Sequence, residues 1–204
     1  VEGLEVINTI ETDDVIEKIT IIRIGNAAKK FDAVKIFKNY YSSVAKEIKE
    51  AEEKAQQITE NKIKEITTLK ATGTKTKSGL VYQIIKKGTG KKPANGTQVL
   101  IHYAGYLENG QLFDTSYEDV AKLYGKFDQN RANQNGYAGF PVTIGNLPFI
   151  PGFNEGVNLM NYGDKLMLYI PSNLGYGEQG AGDAIPPNAN IIFEVELLEN
   201  KPTN

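Results

Sequence analysis

The stretch TQVLIHYAGYLENGQLFDTS, residues 97–116, decides how this chain folds. Its first half alternates: Val99, Ile101 and Tyr103 fall on one side of an extended strand, because successive strand side chains point to opposite faces. The following Glu108, Asn109 and Gly110 are a turn signal that sends the chain back as a hairpin. Strand texture recurs in LVYQIIKKG (80–88), FPVTIG (140–145), KLMLYIP (165–171) and NIIFEVELLE (190–199). Between two of these, FIPGFNEGVNLM (149–160) spaces Phe153, Val157 and Met160 as one face of a short helix. A mostly antiparallel sheet with one helix on one face is an α+β architecture.

Composition narrows the chemistry. The 204 residues suit one medium domain with an appendage, or two small ones. A net charge of −2 gives no electrostatic footprint for nucleic acid. Without cysteine there is no disulfide, thiolate nucleophile or Cys-based zinc site, and the single histidine, His102, argues against a His-rich metal site. No apolar run approaches the ~18 residues of a membrane-spanning helix. The chain starts at Val1, which reads as a processed or trimmed end.

The segments before the sheet have a different texture. Residues 1–31 read as a short remnant: a helix-like VEGLEVINTI, then a strand over Ile19–Ile24. Two such elements bury too little surface to stand alone. Over 32–70 the pattern becomes helical. Phe37, Tyr41, Val44, Ile48, Ala51, Ala55 and Ile58 step by four and three, and Ile63, Ile66 and Leu69 continue after a slip near Asn61. Two readings stand: a solvated arm docked at one end, or a seam that dimerises two copies. ATGTKTKSG, 71–79, has the composition of a linker, and the last domain is expected to occupy 80–204.

Taken in order, SGLVYQIIKKGTG, VLIHYAGYLENGQLFDTS, FPVTIGNLPFIPGFNEGV, YIPSNLGYG and IPPNANIIFEVELLE resemble the successive blocks of an FKBP-type peptidyl-prolyl cis-trans isomerase over about residues 76–199. The resemblance implies a curved antiparallel sheet wrapped around a short helix. It also implies an apolar pocket between them that turns X–Pro bonds without cofactor or metal. Matched residue by residue, it implies catalytic roles for Tyr103, Asp114 and Tyr176. It implies substrate-binding roles for Phe113, Phe140, Phe149, Ile150, Phe153, Ile185 and Phe193, with the Ile150 N–H as a donor to a ligand carbonyl. Its partners would be X–Pro-containing polypeptides and macrolide inhibitors. Phe153 stands where many members carry Trp, and residues 117–139 form an insertion where small members make a much shorter connection. Within the insertion, EDVAKLYGK is a candidate helix with Val120, Leu123 and Tyr124 on one side. Residues 1–25 resemble the last helix and strand of a cyclophilin-type isomerase, and the helical arm resembles envelope-located bacterial members, which points to the periplasm or cell envelope.

The scarcity of reactive side chains suits this chemistry. Rotation about a peptide bond must overcome about 18–20 kcal/mol, yet no bond is made or broken. A catalyst therefore needs only to favour the twisted amide over the planar one. The residues alone leave a second function open: a non-catalytic module that holds apolar or proline-containing segments. They also leave Tyr103, Phe140, Phe153 and Phe193 readable as plain core aromatics, Asp114 as a turn cap and Tyr176 as a loop tyrosine without a role. His102 is expected to be structural, with nothing placing Ser116 beside it.

Overall fold

The structure, a computed structural model, describes residues 8–15, 17, 18, 20 and 22–200. Of the helix expected at 1–10 and the strand expected at 19–24, residues 1–7, 19 and 21 lie outside the described residues; among the described ones, Asn8–Ile10 are not helical, and Thr20 and Ile22–Ile24 form no strand. The chain divides into two compact units, 1–49 and 50–204, and the division falls inside one long helix.

The first unit contains the short helix α1 (Gly25–Lys30) and the start of α2 (Ala33–Thr72). Asp32 holds the entry to α2: its side chain accepts from Lys35 N–H at 3.0 Å. Along this part of α2, Phe37 and Tyr41 stack with ring centroids 6.4 Å apart, both well exposed.

The second unit is built on a seven-stranded sheet whose pairings are all antiparallel. Its strands are β1 (Thr74–Lys75), β2 (Val81–Lys86), β3 (Gln98–Leu107), β4 (Leu112–Thr115), β5 (Phe140–Thr143), β6 (Lys165–Ile170) and β7 (Ile191–Glu199). The order is β1-β2-β6-β7-β3-β4. β7 takes one edge of β3, so β4 and β5 share the other edge, β4 opposite Ala104–Tyr106 and β5 opposite Gln98–Ile101. The expected linker at 71–79 is corrected here. Ala71 and Thr72 complete α2, and Thr74–Lys75 pairs with Val81–Tyr82. Sheet pairing across the Thr76–Leu80 turn, where Thr76 N–H donates to Leu80 C=O at 2.8 Å, outweighs a composition that reads as flexible.

Each face of the sheet has its own core. On one face, α3 (Pro151–Asn158) packs Phe153 and Val157 onto Leu166, Leu168, Ile101 and Val195. Pro151 at the first helical turn fits because its missing N–H has no intrahelical partner there. The approach is close: a Cβ on Gly156 would lie 2.4 Å from Leu168 Cδ1, so a larger residue there would displace the Leu168 side chain. On the other face, Ile66 and Leu69 of α2 bury against Ala104, Tyr106, Leu112, Met167 and Ile192. Full burial of such side chains stabilises by about 1.5–3 kcal/mol each. Lys62, only 9% exposed, completes this face. Its Nζ lies 2.5 Å from both Glu194 Oε1 and Glu65 Oε2, and 4.5 Å from the centre of the Tyr106 ring. Among the described residues, no helix is long and apolar enough to cross a membrane.

The insertion forms two short helices, Glu118–Leu123 and Gln129–Asn133. The first seats Val120 and Tyr124 against the α2-side core, while Leu123 points outward, half exposed. The second helix is not anticipated by apolar spacing. It starts because Asp128 caps it, accepting from the N–H groups of Asn130 and Arg131.

Candidate active site

The helix-bearing face of the sheet opens into a cavity of about 580 Å³ lined by Tyr103, Phe113, Asp114, Phe140, Pro148, Phe149, Ile150, Phe153, Tyr176 and Phe193. Strand alternation puts Tyr103 on the same face as Val99 and Ile101, and the hairpin returns Asp114 opposite Gly105, diagonal to Tyr103, with Phe113 beside it at a bulge. Phe153 comes from α3, Phe193 from β7, and Tyr176 from the link between two 3-10 turns, Ser172–Leu174 and Gly177–Gln179.

Five rings close on one another around this space. Tyr103 meets Phe140 with centroids 5.6 Å apart at 82°, Phe140 meets Phe149 at 5.6 Å and 80°, and Phe149 meets Phe153 at 5.1 Å and 67°. Phe153 meets Phe193 at 5.1 Å and 83°, and Phe193 returns to Tyr103 at 6.0 Å. The quadrupole of each ring favours these edge-to-face contacts over stacked faces, by about 0.5–1.5 kcal/mol per pair beyond burial. Mutual support holds the rings upright, which keeps the slot open instead of letting it collapse.

Polar side chains are few, and those around Asp114 are occupied. The Tyr103 hydroxyl donates to Asp114 Oδ2. Asp114 Oδ1 accepts from Thr115 N–H at 2.8 Å and from Arg131 Nη1 at 2.7 Å. Burial first, and then the Asp114 carboxylate, push the Tyr103 phenol far above the usual tyrosine range, so it stays a donor at any physiological pH. Burial works against the Arg131 guanidinium, but its hydrogen bond to Asp114 and the carboxylate charge outweigh that and raise its pKa.

Ile150 is the N-cap of α3, in an extended conformation, and its own N–H finds no partner among the described residues. Asn154, one turn on, fixes the segment before it: Nδ2 donates to Leu147 C=O at 3.1 Å and to Phe149 C=O at 3.0 Å. Its Oδ1 is buried with no partner among the described residues, so the amide is turned wholly toward those two carbonyls.

Nine of the ten sequence-identified site residues meet at this cavity: Tyr103, Phe113, Asp114, Phe140, Phe149, Ile150, Phe153, Tyr176 and Phe193. Ile185 does not. Ala181 and Ile185 exchange both backbone hydrogen bonds, at 2.8 and 3.2 Å, and this bridge tucks Ile185 into the core at 3% exposure. The expected separation of His102 from Ser116 is also corrected: His102 Nδ1 lies 3.1 Å from Ser116 Oγ. That hydroxyl accepts from Tyr103 N–H at 2.8 Å, and Ser116 is 2% exposed, so the pair braces the strand edge with its hydroxyl shut away from solvent. Sequence reading missed Pro148, Asn154 and Arg131. An asparagine inside a short helix is a usable signal, because its side chain competes for backbone groups. Asp128 as a helix cap could have placed Arg131 on an ordered element, but nothing local pairs that arginine with Asp114.

Comparison with known proteins agrees with this geometry. A model of the FKBP-type peptidyl-prolyl cis-trans isomerase family matches residues 89–198. The chain is similar to the FKBP-type isomerase FkpA of Aeromonas hydrophila, 36% identical over 194 residues, spanning 83% of this chain and 65% of that protein. It is similar to a probable FkpA of Neisseria meningitidis, 43% identical over 61% of this chain, but it spans only 39% of that relative's length. A shorter FK506-binding protein of Neisseria meningitidis is 39% identical, with 59% of this chain matched to 95% of that protein. Among solved structures, AtFKBP13 superposes with a TM-score of 0.51 at 27% identity, covering 63% of this chain and 98% of that one.

Proposed function

Because the chain belongs to the FKBP-type peptidyl-prolyl cis-trans isomerase family, we propose that it turns X–Pro bonds of polypeptides by enclosing them in the aromatic slot. The observation that carries this is the closed set of five rings around a cavity whose one carboxylate, Asp114, is already paired. A proline ring fits between upright aromatic walls, which grip one side of the amide while the other turns. The planar amide carries charge on O and N that water stabilises; the twisted amide has lost much of it. Moving the bond between Phe113, Phe149, Phe153 and Phe193 withdraws that hydration and favours the twisted state. The Ile150 N–H and the Tyr176 hydroxyl supply donors to hold a substrate carbonyl. A rate gain of about 10⁴ needs about 5.5 kcal/mol, within reach of shape and two hydrogen bonds.

Two finer readings belong with it. The Phe153 floor supports binding of a macrolide that fills the slot, in competition with substrate. The exposed Val34, Phe37, Tyr41 and Ile48 on α2 support pairing of two copies along that seam. Sedimentation at rising concentration separates a dimer from a monomer.

The test is refolding of an unfolded protein whose slow phase is prolyl isomerisation. A substoichiometric amount of this chain should accelerate that phase with turnover. Binding of the unfolded chain without acceleration at any ratio would replace the isomerase by a holding module.

A further inference from the structure

Tyr176 reaches the slot from neither a strand nor an α-helix. It lies between the 3-10 turns Ser172–Leu174 and Gly177–Gln179. Both flanks of it are held by one short segment, residues 188–190. Upstream, Ser172 N–H donates to Asn190 Oδ1 at 3.1 Å. Downstream, Asn188 N–H donates to Gly177 C=O at 2.8 Å. The segment runs directly into β7, which pairs with both β3 and β6, so the tyrosine is referred to the middle of the sheet. Local bonds shape the turn between the two holds: Leu174 N–H donates to Pro171 C=O at 2.9 Å, and Gly175 N–H to Ser172 C=O at 3.0 Å.

The hold on Ser172 depends on which way the Asn190 amide is turned, since an amide accepts at one end and donates at the other. Glu108, in the turn after β3, decides it. Its Oε2 accepts from Asn190 Nδ2 at 2.9 Å. Its Oε1 accepts from the Tyr169 hydroxyl at 3.1 Å and from Lys70 Nζ, in the last turn of α2, at 2.6 Å. Burial works against this carboxylate, but hydrogen bonds from Lys70 and Asn190 outweigh it and hold its pKa below the usual range. Glu108 is therefore ionised at neutral pH and can only accept. It draws Nδ2 to itself and leaves Oδ1 for the Ser172 N–H.

We propose that Glu108 and Asn190 are positioning residues for Tyr176: the carboxylate orients the amide, the amide holds Ser172, and the turn so held presents the Tyr176 hydroxyl to a substrate carbonyl. None of Glu108, Asn190 and Ser172 lines the cavity, so their effect on the reaction runs through Tyr176. Glu108→Gln tests the orientation without changing size. A glutamine both donates and accepts, so the two amides can pair either way round. The flipped pair turns Asn190 Nδ2 toward the Ser172 N–H, donor against donor.

The proposal rests on the isomerase reading, and the experiment separates the two. Exchange of a short X–Pro peptide is measured for wild type, Asn190→Ala and Glu108→Gln, and for both variants in a Tyr176→Phe background. Hydrogen exchange of the Ser172 amide is followed beside it, with amide dispersion in the NMR spectrum as the check of fold. Asn190→Ala should lower kcat/KM by about three- to tenfold, the range of one hydrogen bond, with the change falling mainly on KM. Glu108→Gln, at a partly exposed turn that tolerates it, should lose about threefold and carries the test should Asn190→Ala lose its dispersion. In the Tyr176→Phe background both losses should shrink below about 1.5-fold, because the hydroxyl they serve is gone. The Ser172 amide should exchange at least about tenfold faster in Asn190→Ala. A wild type without acceleration overturns the isomerase reading and this proposal with it. An active wild type overturns this proposal alone if Glu108→Gln or a folded Asn190→Ala keeps full kcat/KM, if the losses are equal in both backgrounds, or if Ser172 exchange is unchanged in a folded Asn190→Ala.

Discussion

Tyr103 and Asp114 meet diagonally across β3 and β4, where Asp114 pairs with Gly105, the phenol hydroxyl donating to carboxylate Oδ2 at the rim of the aromatic slot. This bond fixes one ring of the five, and through edge-to-face contact with Phe140 and Phe193 it fixes two more. Tyr103→Phe keeps the ring and removes the tether. It should lower kcat/KM by about tenfold, with a smaller change in thermal stability, since a hydrogen bond to a charged group is worth about 1.5–3 kcal/mol when buried and less at a half-open rim. Peptide exchange kinetics beside a thermal melt check both halves.

Phe153 serves the fold and the site together. It is 4% exposed and touches both Phe149 and Phe193. Phe153→Ala should destabilise by about 3–5 kcal/mol through the lost transfer energy and the cavity left behind. That corresponds to a fall in Tm of roughly 6–20 °C for a domain of this size. A melt within two or three degrees of wild type would show that the ring supports nothing.

Asn154 should act on binding. With both Nδ2 hydrogens given to Leu147 and Phe149 carbonyls, it holds the turn that presents Ile150. Asn154→Asp replaces those donors with an acceptor and leaves two carbonyls facing a carboxylate. KM should rise more than kcat falls, and stability should drop by about 1–3 kcal/mol. An unchanged KM would disconnect this residue from the Ile150 donor.

The α2 face of the sheet predicts acid sensitivity. Burial alone raises the Glu194 carboxyl, but the Lys62 ammonium and then Lys165 outweigh it and hold its pKa below the usual 4.5. A carboxylate depressed on folding contributes stability that is complete above its unfolded pKa and is lost as pH falls through the folded one. Melting temperature should therefore fall progressively below about pH 4.5. Glu194→Gln should be less stable at neutral pH and flatter in that acid range. A variant as steep as wild type would assign the sensitivity to other carboxylates, such as Asp164, which Asn161 and Gly88 N–H groups also hold low against its burial.

How far the sequence could be read follows from the range of the forces involved. Strand alternation in 97–116 and the helical spacing of Phe153 and Val157 are local patterns set by which face meets the core, and both are seen in the sheet and α3. The rings of the slot were legible only through the resemblance, since composition cannot distinguish a core phenylalanine from a pocket wall. Ile185 sits in the core beside the cavity lining because a backbone bridge to Ala181, invisible in side-chain pattern, turns it inward. Arg131 was missed because its partner is brought near by an excursion whose closure depends on the Asp128 cap and the Phe127–Tyr137 stack. The 71–79 segment reads as linker because Gly, Ser and Lys outnumber its threonines, the strand formers there, yet pairing with β2 decides it.

The central claim is that an aromatic slot with no reactive side chain lowers the barrier to prolyl rotation. Its most direct test is NMR exchange spectroscopy on a short X–Pro peptide with a catalytic trace of this chain. Uncatalysed exchange takes tens to hundreds of seconds; the account predicts that it shortens in proportion to the chain added, with equal effect on both directions and no change in the cis fraction. Exchange that stays at the uncatalysed rate while the peptide visibly occupies the cavity would contradict it.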